Sequence, residues 1–462
     1  MTYVIQNGQI ASGSMVKPGD ILVEHGQIKQ IGEHIPLEEL PADTRVIDAS
    51  GALVLPGIID AHTHYHLESR GTVTADGFAE GSRAAAYGGV TTVIDFADHV
   101  TGIRAAESAR QRITMMAESM AVDFALHQSI YRVETDMEEQ LRELTEAGVR
   151  AVKIFTTYKD AGYLIDTTRL RELFLLCRDQ NILVTVHAED DQLIEETARS
   201  YEHQHCPPSM HPVLRPPETE GRAVEQITSL ALEAGMPVYI VHVSSQAGLE
   251  AVRKARRKGG IVAAETAPHY LLLDQRVLAL PDGPLYVMTP PLRTEKDNEA
   301  LWEALSSGEI SAAATDHCAF TPEQKFLSSD CRTILPGIPG SEELLTLMHT
   351  YGAASGRFDV PALVRLLSEQ PARHFGLYPA KGVIREGSDA DLVIFDPSVQ
   401  WKITNETQHT AAGYTPYAGR DVSGKVLLTM RRGEILVEDG EYLGIPGTGK
   451  FQGSGISDLY RI

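Results

Sequence analysis

The chain predicts an α/β fold: a (β/α)8 TIM-type barrel with a small β-sandwich domain formed by both chain ends. Three observations carry this. Eight short apolar runs rich in β-branched residues recur through the middle of the chain, at 53–64, 90–96, 124–130, 151–156, 183–187, 238–243, 261–266 and 312–316. Longer segments of helical pattern separate them, as expected of βα units feeding a parallel sheet. The two ends read instead as short strands closed by turn pairs, and the unusual polar residues of the middle stand at the ends of the runs, where a barrel builds its rim. A doubly wound sheet could also hold eight strands, but no GxGxxG follows the first run.

At the N-terminus, Tyr3-Val4-Ile5-Gln6 precedes Asn7-Gly8, and Asp20-Ile21-Leu22-Val23-Glu24 precedes His25-Gly26. Both pairs suit tight hairpin turns. The apolar stretch Ala52-Leu53-Val54-Leu55-Pro56 then leads into Gly57-Ile58-Ile59-Asp60-Ala61-His62-Thr63-His64. Alternate side chains of a strand share a face, so His62 and His64 project together and offer two imidazoles to one metal ion. Alone, such a pair is more often solvent-facing or locally hydrogen-bonded than metal-binding.

The later runs add to it. The fourth carries Lys153 within Val152-Lys153-Ile154-Phe155, and the fifth ends in His187-Ala188-Glu189. The sixth ends in His242-Val243-Ser244-Ser245 and the eighth in Thr315-Asp316-His317. Four imidazoles and a carboxylate are too many for one tetrahedral zinc with an open position, so the inventory points to two ions. Two adjacent cations need an anionic bridge. Asp316 could serve on one side, but Lys153 as a free ammonium repels cations, and spacing alone leaves that conflict open.

The strand grammar of the N-terminus returns in Ala390-Asp391-Leu392-Val393-Ile394-Phe395-Asp396 and around Arg432-Gly433. The expected division is therefore 1–55 and 376–440 for the two parts of the sandwich, 56–375 for a metal-dependent barrel, and 441–462 for a tail. Its Gly- and Pro-containing part, 444–455, either reaches a neighbour or is loosely ordered.

Composition bounds the partners. A net charge of −22 argues against a nucleic-acid surface, which needs a basic stripe. The one basic cluster, Arg253-Lys254-Ala255-Arg256-Arg257-Lys258, precedes Gly259-Gly260 and suits a solvated helix C-terminus. Four cysteines without CxxC spacing and an N-terminus without a charged-then-apolar leader point to the cytoplasm. No apolar run approaches the roughly twenty residues of a membrane helix, so no membrane role is expected.

Taken together, these residues resemble the amidohydrolase superfamily and, within it, the dihydropyrimidinase/hydantoinase group of cyclic amidases. The likeness runs from Pro56-Gly57 to His64 and through Gly88-Gly89-Val90-Thr91-Thr92, Val152-Lys153-Ile154-Phe155-Thr156-Thr157-Tyr158 and Val186-His187-Ala188-Glu189. It continues in Val241-His242-Val243-Ser244, Thr289-Pro290-Pro291-Leu292-Arg293, Ala314-Thr315-Asp316-His317 and Gly387-Ser388-Asp389-Ala390-Asp391.

The resemblance implies two divalent metal ions, zinc or another such as manganese, and an N6-carboxylated Lys153 that turns the cation into a bridging carboxylate. His62, His64, Lys153 and Asp316 would hold one ion, and Lys153, His187 and His242 the other. It implies ring opening of a hydantoin or dihydropyrimidine to an N-carbamoyl amino acid by a hydroxide bridging the metals. Asp316 would be the general base and Tyr158 a donor to the developing oxyanion. Main-chain groups at Thr289 and Pro336 would meet the cyclic imide, although Pro336 has no N–H to give. Tyr65, His66 and Phe155 would line the substituent pocket. Allantoinases lack the tyrosine at the place of Tyr158, and dihydroorotases usually carry arginine at the place of His66. An allantoinase or another cyclic amidase is the alternative activity. A non-catalytic relative is the other, and the six filled ligand positions argue against it. Relatives also imply a homo-oligomer, a dimer or tetramer, acting on a small-molecule cyclic amide.

Overall fold

A computed structural model describes all 462 residues. Eight parallel strands follow one another around a barrel in chain order: Ile58–Thr63, Val90–Ala97, Asp123–Ser129, Ala151–Phe155, Leu183–His187, Val238–Ile240, Val262–Thr266 and Ala312–Ala313. Each coincides with one of the eight predicted runs. Closure between the last strand and the first is made by the bridge from Thr63 to His317 and by His64 N donating to His317 O at 2.8 Å. The buried Asp60 carboxylate adds to the seam by accepting from Thr315 N (3.0 Å) and Thr315 Oγ1 (2.6 Å).

The second unit is one nine-stranded sheet drawn from both chain ends. Leu53–Pro56 lies at its centre, parallel to Thr2–Ala11 and antiparallel to Leu392–Lys402. The first predicted run is thus two strands rather than one: Leu53–Pro56 belongs to this sheet and Ile58–Thr63 to the barrel. Gly57 makes the crossing, with its N–H donating to Asp391 O at 2.8 Å. A Cβ there would lie 2.1 Å from Thr91 Oγ1 and 2.9 Å from Asp391 Cβ, so no side chain fits between the two sheets.

His25-Gly26 forms the expected two-residue turn, with φ of 53° and 81°. Asn7-Gly8 does not turn the chain. Thr2–Ala11 continues through it as one strand with a bulge, Asn7 sitting at φ 63° and held by Asp20 and Asp48. The helix Gln246–Arg257 ends as expected, followed by Gly259 at φ 88°. No helix is long and apolar enough to cross a membrane.

The tail is neither loose nor free. It runs beneath the barrel, where Phe124 N donates to Lys450 O, Gln452 N to Phe124 O and Ser454 N to Gly148 O at 2.7–3.1 Å. Leu459 then enters the apolar cluster that closes the barrel floor with Ala372, Phe375 and Leu377. The main chain makes these contacts, which is why a polar, glycine-rich composition conceals them.

Candidate active site

At the opposite end of the barrel, one cavity of about 410 Å³ is lined by His62, His64, Lys153, His187, His242 and Asp316, the six residues expected to hold metal. His62 Nε2 and His64 Nε2 each lie 3.3 Å from Asp316 Oδ1. The ligand atoms of these three residues all fall within 4.8 Å of one another, so they could hold one ion. The rings of His187 and His242 are 4.7 Å apart on the other side, and the His242 ring is 5.4 Å from that of His62.

Two buried nitrogens of this set, His62 Nε2 and His242 Nδ1, have no hydrogen-bond partner. Orphaned imidazole nitrogens beside a carboxylate are costly unless a cation takes their lone pairs, and the donor set fits a divalent ion. Burial, with Lys153 acting in the same direction at His62, holds the His62 and His242 rings well below the ordinary histidine range, in the neutral form that ligates metal.

Carboxylates behind the rings set their orientation. Glu265 Oε1 lies 2.8 Å from His62 Nδ1, and its other oxygen accepts from Tyr239 at 2.9 Å. Glu189 Oε2 lies 2.8 Å from His187 Nε2 and is ion-paired with Arg215 at 2.5 Å. At Glu189 an ionised partner takes the N–H and leaves the other ring nitrogen aimed at the cavity, whereas burial pushes the Glu265 carboxyl up to about 8. Burial opposes ionisation of Glu189, but Arg215 and His187 outweigh it and keep the carboxyl down at about 2. At Asp316 burial is likewise overcome, here by His64 and His242, and the carboxyl stays well below its usual range.

Lys153 is 1 % exposed, and its ammonium lies over the rings of Phe96 (4.9 Å) and Phe155 (5.4 Å) with no direct ion pair, Asp316 and Glu265 acting on it only from a distance. Burial pulls its pKa down to about 8. The free amine is the form that reacts with CO2, so a buried lysine without a carboxylate partner suits carbamate formation.

Tyr158, the sequence-derived oxyanion donor, lines the same cavity at φ 63°, its ring 5.4 Å from His187 and 5.2 Å from the Arg215 guanidinium. Burial pushes its hydroxyl up to about 12, so it remains a proton donor. His242 (φ 38°) and Asp316 (φ 51°) also hold left-handed backbone. Three non-glycine residues in this sparsely populated region, all at the ends of barrel strands, mark strain concentrated at the cavity.

Phe155, Thr289 and Pro336 line the cavity as expected. Tyr65 does not. It is fully buried behind the wall, its hydroxyl 2.8 Å from Ser341 Oγ and its ring packed where a Cβ on Gly81 would stand. It follows His64 by one residue, so the alternation that brings His62 and His64 inward turns it outward. His66 lines an adjoining chamber rather than the metal end. Gly337, next to Pro336, has its N–H engaged with Val287 O at 2.9 Å, while the buried Lys325 donates to both Val287 O and Gly337 O. That lysine ties together the two loops that carry Thr289 and Pro336.

Sequence reading gave no role to Glu265, Glu189 or Arg215. A glutamate inside the apolar run Val262-Ala263-Ala264-Glu265 was the available signal, and Glu189 stands two residues after His187, on the same face.

The model of the amidohydrolase family matches residues 53–436. The chain belongs to that family. Among curated proteins, this amidohydrolase is 38% identical over 460 residues to the D-hydantoinase of Geobacillus stearothermophilus, covering 98% of this chain and 96% of that one. It is 34% identical to a D-phenylhydantoinase of Escherichia coli, over 98% of both. Among solved structures, the dihydropyrimidinase of Brevibacillus agri superposes with a TM-score of 0.96 at 32% identity, covering 99% of each chain. The L-hydantoinase (dihydropyrimidinase) of Arthrobacter aurescens gives 0.88 at 28%, over 97% of this chain and 99% of that one.

Proposed function

We propose that this amidohydrolase opens the ring of a hydantoin or a 5,6-dihydropyrimidine to an N-carbamoyl amino acid. The observation that carries the reading is the convergence of the six ligand-type side chains on one cavity with Tyr158 in its wall. His62, His64 and Asp316 would hold one divalent ion, zinc or a similar metal, and His187 with His242 a second. Lys153 would serve both once its Nζ bonds to the carbon of CO2 and loses a proton, leaving an N6-carbamate in place of an ammonium. When bound, the ions supply an acidified water and a Lewis acid for the ring carbonyl.

The protein's own groups do the rest. Asp316 accepts the proton of the attacking water and returns it to the departing ring nitrogen. Tyr158 donates its hydroxyl hydrogen toward the oxygen on which charge develops. Thr289 and Pro336 present main-chain groups that orient the imide, and Phe155 packs against the ring substituent.

The test is ring opening of hydantoin, dihydrouracil, allantoin and dihydroorotate by metal-loaded protein, before and after chelation. Hydantoin or dihydrouracil should be opened and chelation should stop it. Asp316→Asn should retain metal and lose about 10²–10⁴ in kcat. Fully metal-loaded wild-type protein that opens neither hydantoin nor dihydrouracil would sink the reading.

A further inference from the structure

The catalytic cavity is not closed on its outer side. Between Asp98, Tyr131 and Tyr163 it joins a second chamber of about 440 Å³. Asp98 follows the strand Val90–Ala97 directly, and its carboxylate faces this junction with one hydrogen bond, accepted from the Tyr131 hydroxyl at 3.3 Å. It forms no direct ion pair, although Arg112 and His64 act on it from a distance and partly offset the burial that raises its pKa. The nearby cations are engaged elsewhere: Arg112 with the Asp95 carboxylate and with the carbonyls of Tyr65 and His66, and Arg70 with the carbonyls of Arg332 and Ile334. Arg132 stands exposed at the outer mouth.

Beside the carboxylate is an aromatic wall. Tyr131 and Tyr163 stack at 4.0 Å with planes 17° apart, and Phe155 lies 5.8 and 5.5 Å from them. A half-buried carboxylate with no cation bonded to it, beside three aromatic faces, is the chemistry that holds an organic cation. An uncharged alkyl or phenyl group would cover the rings but leave Asp98 desolvated and unpaired, which is unfavourable. An acidic group would be repelled.

We propose that Asp98 is a specificity-determining residue, and that the preferred substrates carry a ring substituent ending in a cation, such as the side chain of lysine or arginine. This rests on the ring-opening reading above and deepens it: the metal end receives the cyclic amide, and the Asp98 junction receives the substituent.

The test compares the lysine-derived hydantoin with its neutral isostere, the norleucine-derived hydantoin, by kcat/KM on wild type, Asp98→Asn and Asp98→Lys. Wild type should favour the cationic substrate by about tenfold, as for a partly buried charge-assisted contact. The ratio should fall to about one in Asp98→Asn, and in Asp98→Lys it should invert, with the glutamate-derived hydantoin gaining. A wild-type preference for the norleucine compound, or an equal ratio in wild type and Asp98→Asn, overturns the assignment. Calorimetric binding of the two hydantoins to metal-loaded Asp316→Asn protein reads the same ratio with turnover suppressed. Loss of all ring opening with the binding preference intact therefore strikes the proposed reaction and not the pocket. Since the Asp98 side chain makes a single hydrogen bond, both variants should fold, and Asp98→Glu should restore the cationic preference in part.

Discussion

Lys153 and Lys381 are both 1 % exposed and stand at opposite ends of the same barrel, yet their surroundings oppose each other. Beneath the barrel, Lys381 Nζ meets Asp123 at 2.6 Å, Asp391 at 2.8 Å and Asp389 at 3.0 Å. Burial works against that charge, but the three carboxylates outweigh it and raise the lysine above its ordinary value. At the rim, Lys153 has two aromatic faces and no carboxylate bond, and burial lowers it. Burial is common to both, and the partners decide. A buried cation that is fully matched belongs to the architecture, whereas one left unmatched beside orphaned imidazoles belongs to chemistry that a further group completes.

Substitution at the two lysines should separate these roles most widely. Lys153→Ala should purify largely free of metal and without ring-opening activity while keeping the fold, with elemental analysis and circular dichroism as the readouts. Full occupancy of both ion sites in that variant would remove Lys153 from the ligand set. Lys381→Met should do the reverse: stability falls by about 3–5 kcal/mol, because Asp391 and Asp389 lose their cation and Asp123 is left with Arg432 and Arg431, while metal content per folded molecule holds. The sign with pH follows from the raised Lys381 value. Its contribution is whole below its ordinary 10.5 and is lost only as pH climbs through the raised value. Wild type should therefore carry an alkaline loss of melting temperature that Lys381→Met lacks, and the two curves should run parallel between about pH 7 and 9.

Smaller effects sharpen the rim itself. Tyr158→Phe should lower kcat by about 10² with both metals retained, as for one lost oxyanion donor. Unchanged turnover would leave the tyrosine as wall packing. Glu265→Gln should weaken metal affinity by about tenfold through the orientation of His62, measured by competition with a chelator. An unaltered affinity would show that the His62 ring is held by packing alone.

The contrast also explains what could be read from the amino-acid order. Eight barrel strands were legible because each buries both faces and so appears as an unbroken apolar run. The rim residues stood out as polar groups at the ends of those runs, except Lys153, which stood out as a charge inside one. Where the chain changes sheet at Gly57 the apolar run does not break, so two strands read as one. Asn7-Gly8 looked like a turn because a bulge uses the same left-handed conformation. Tyr65 was assigned to the pocket by its proximity in sequence to His64, although strand alternation sends it the other way. The network around Lys381 was invisible: Asp123 is far in sequence from Lys381 and Asp391, and the motif that holds Asp391 gives no sign of its partners.

Leu459, in the floor of the barrel, is three residues from the end of the chain. While the polypeptide is still being made, the barrel therefore has its rim residues but no plug, and Leu53–Pro56 has not met its partner Leu392–Lys402. Domains tend to fold as units from the N-terminus during synthesis. Here the floor can close only once the segment that carries Leu459 has been made, so a late stretch of the fold seals what an early one opened.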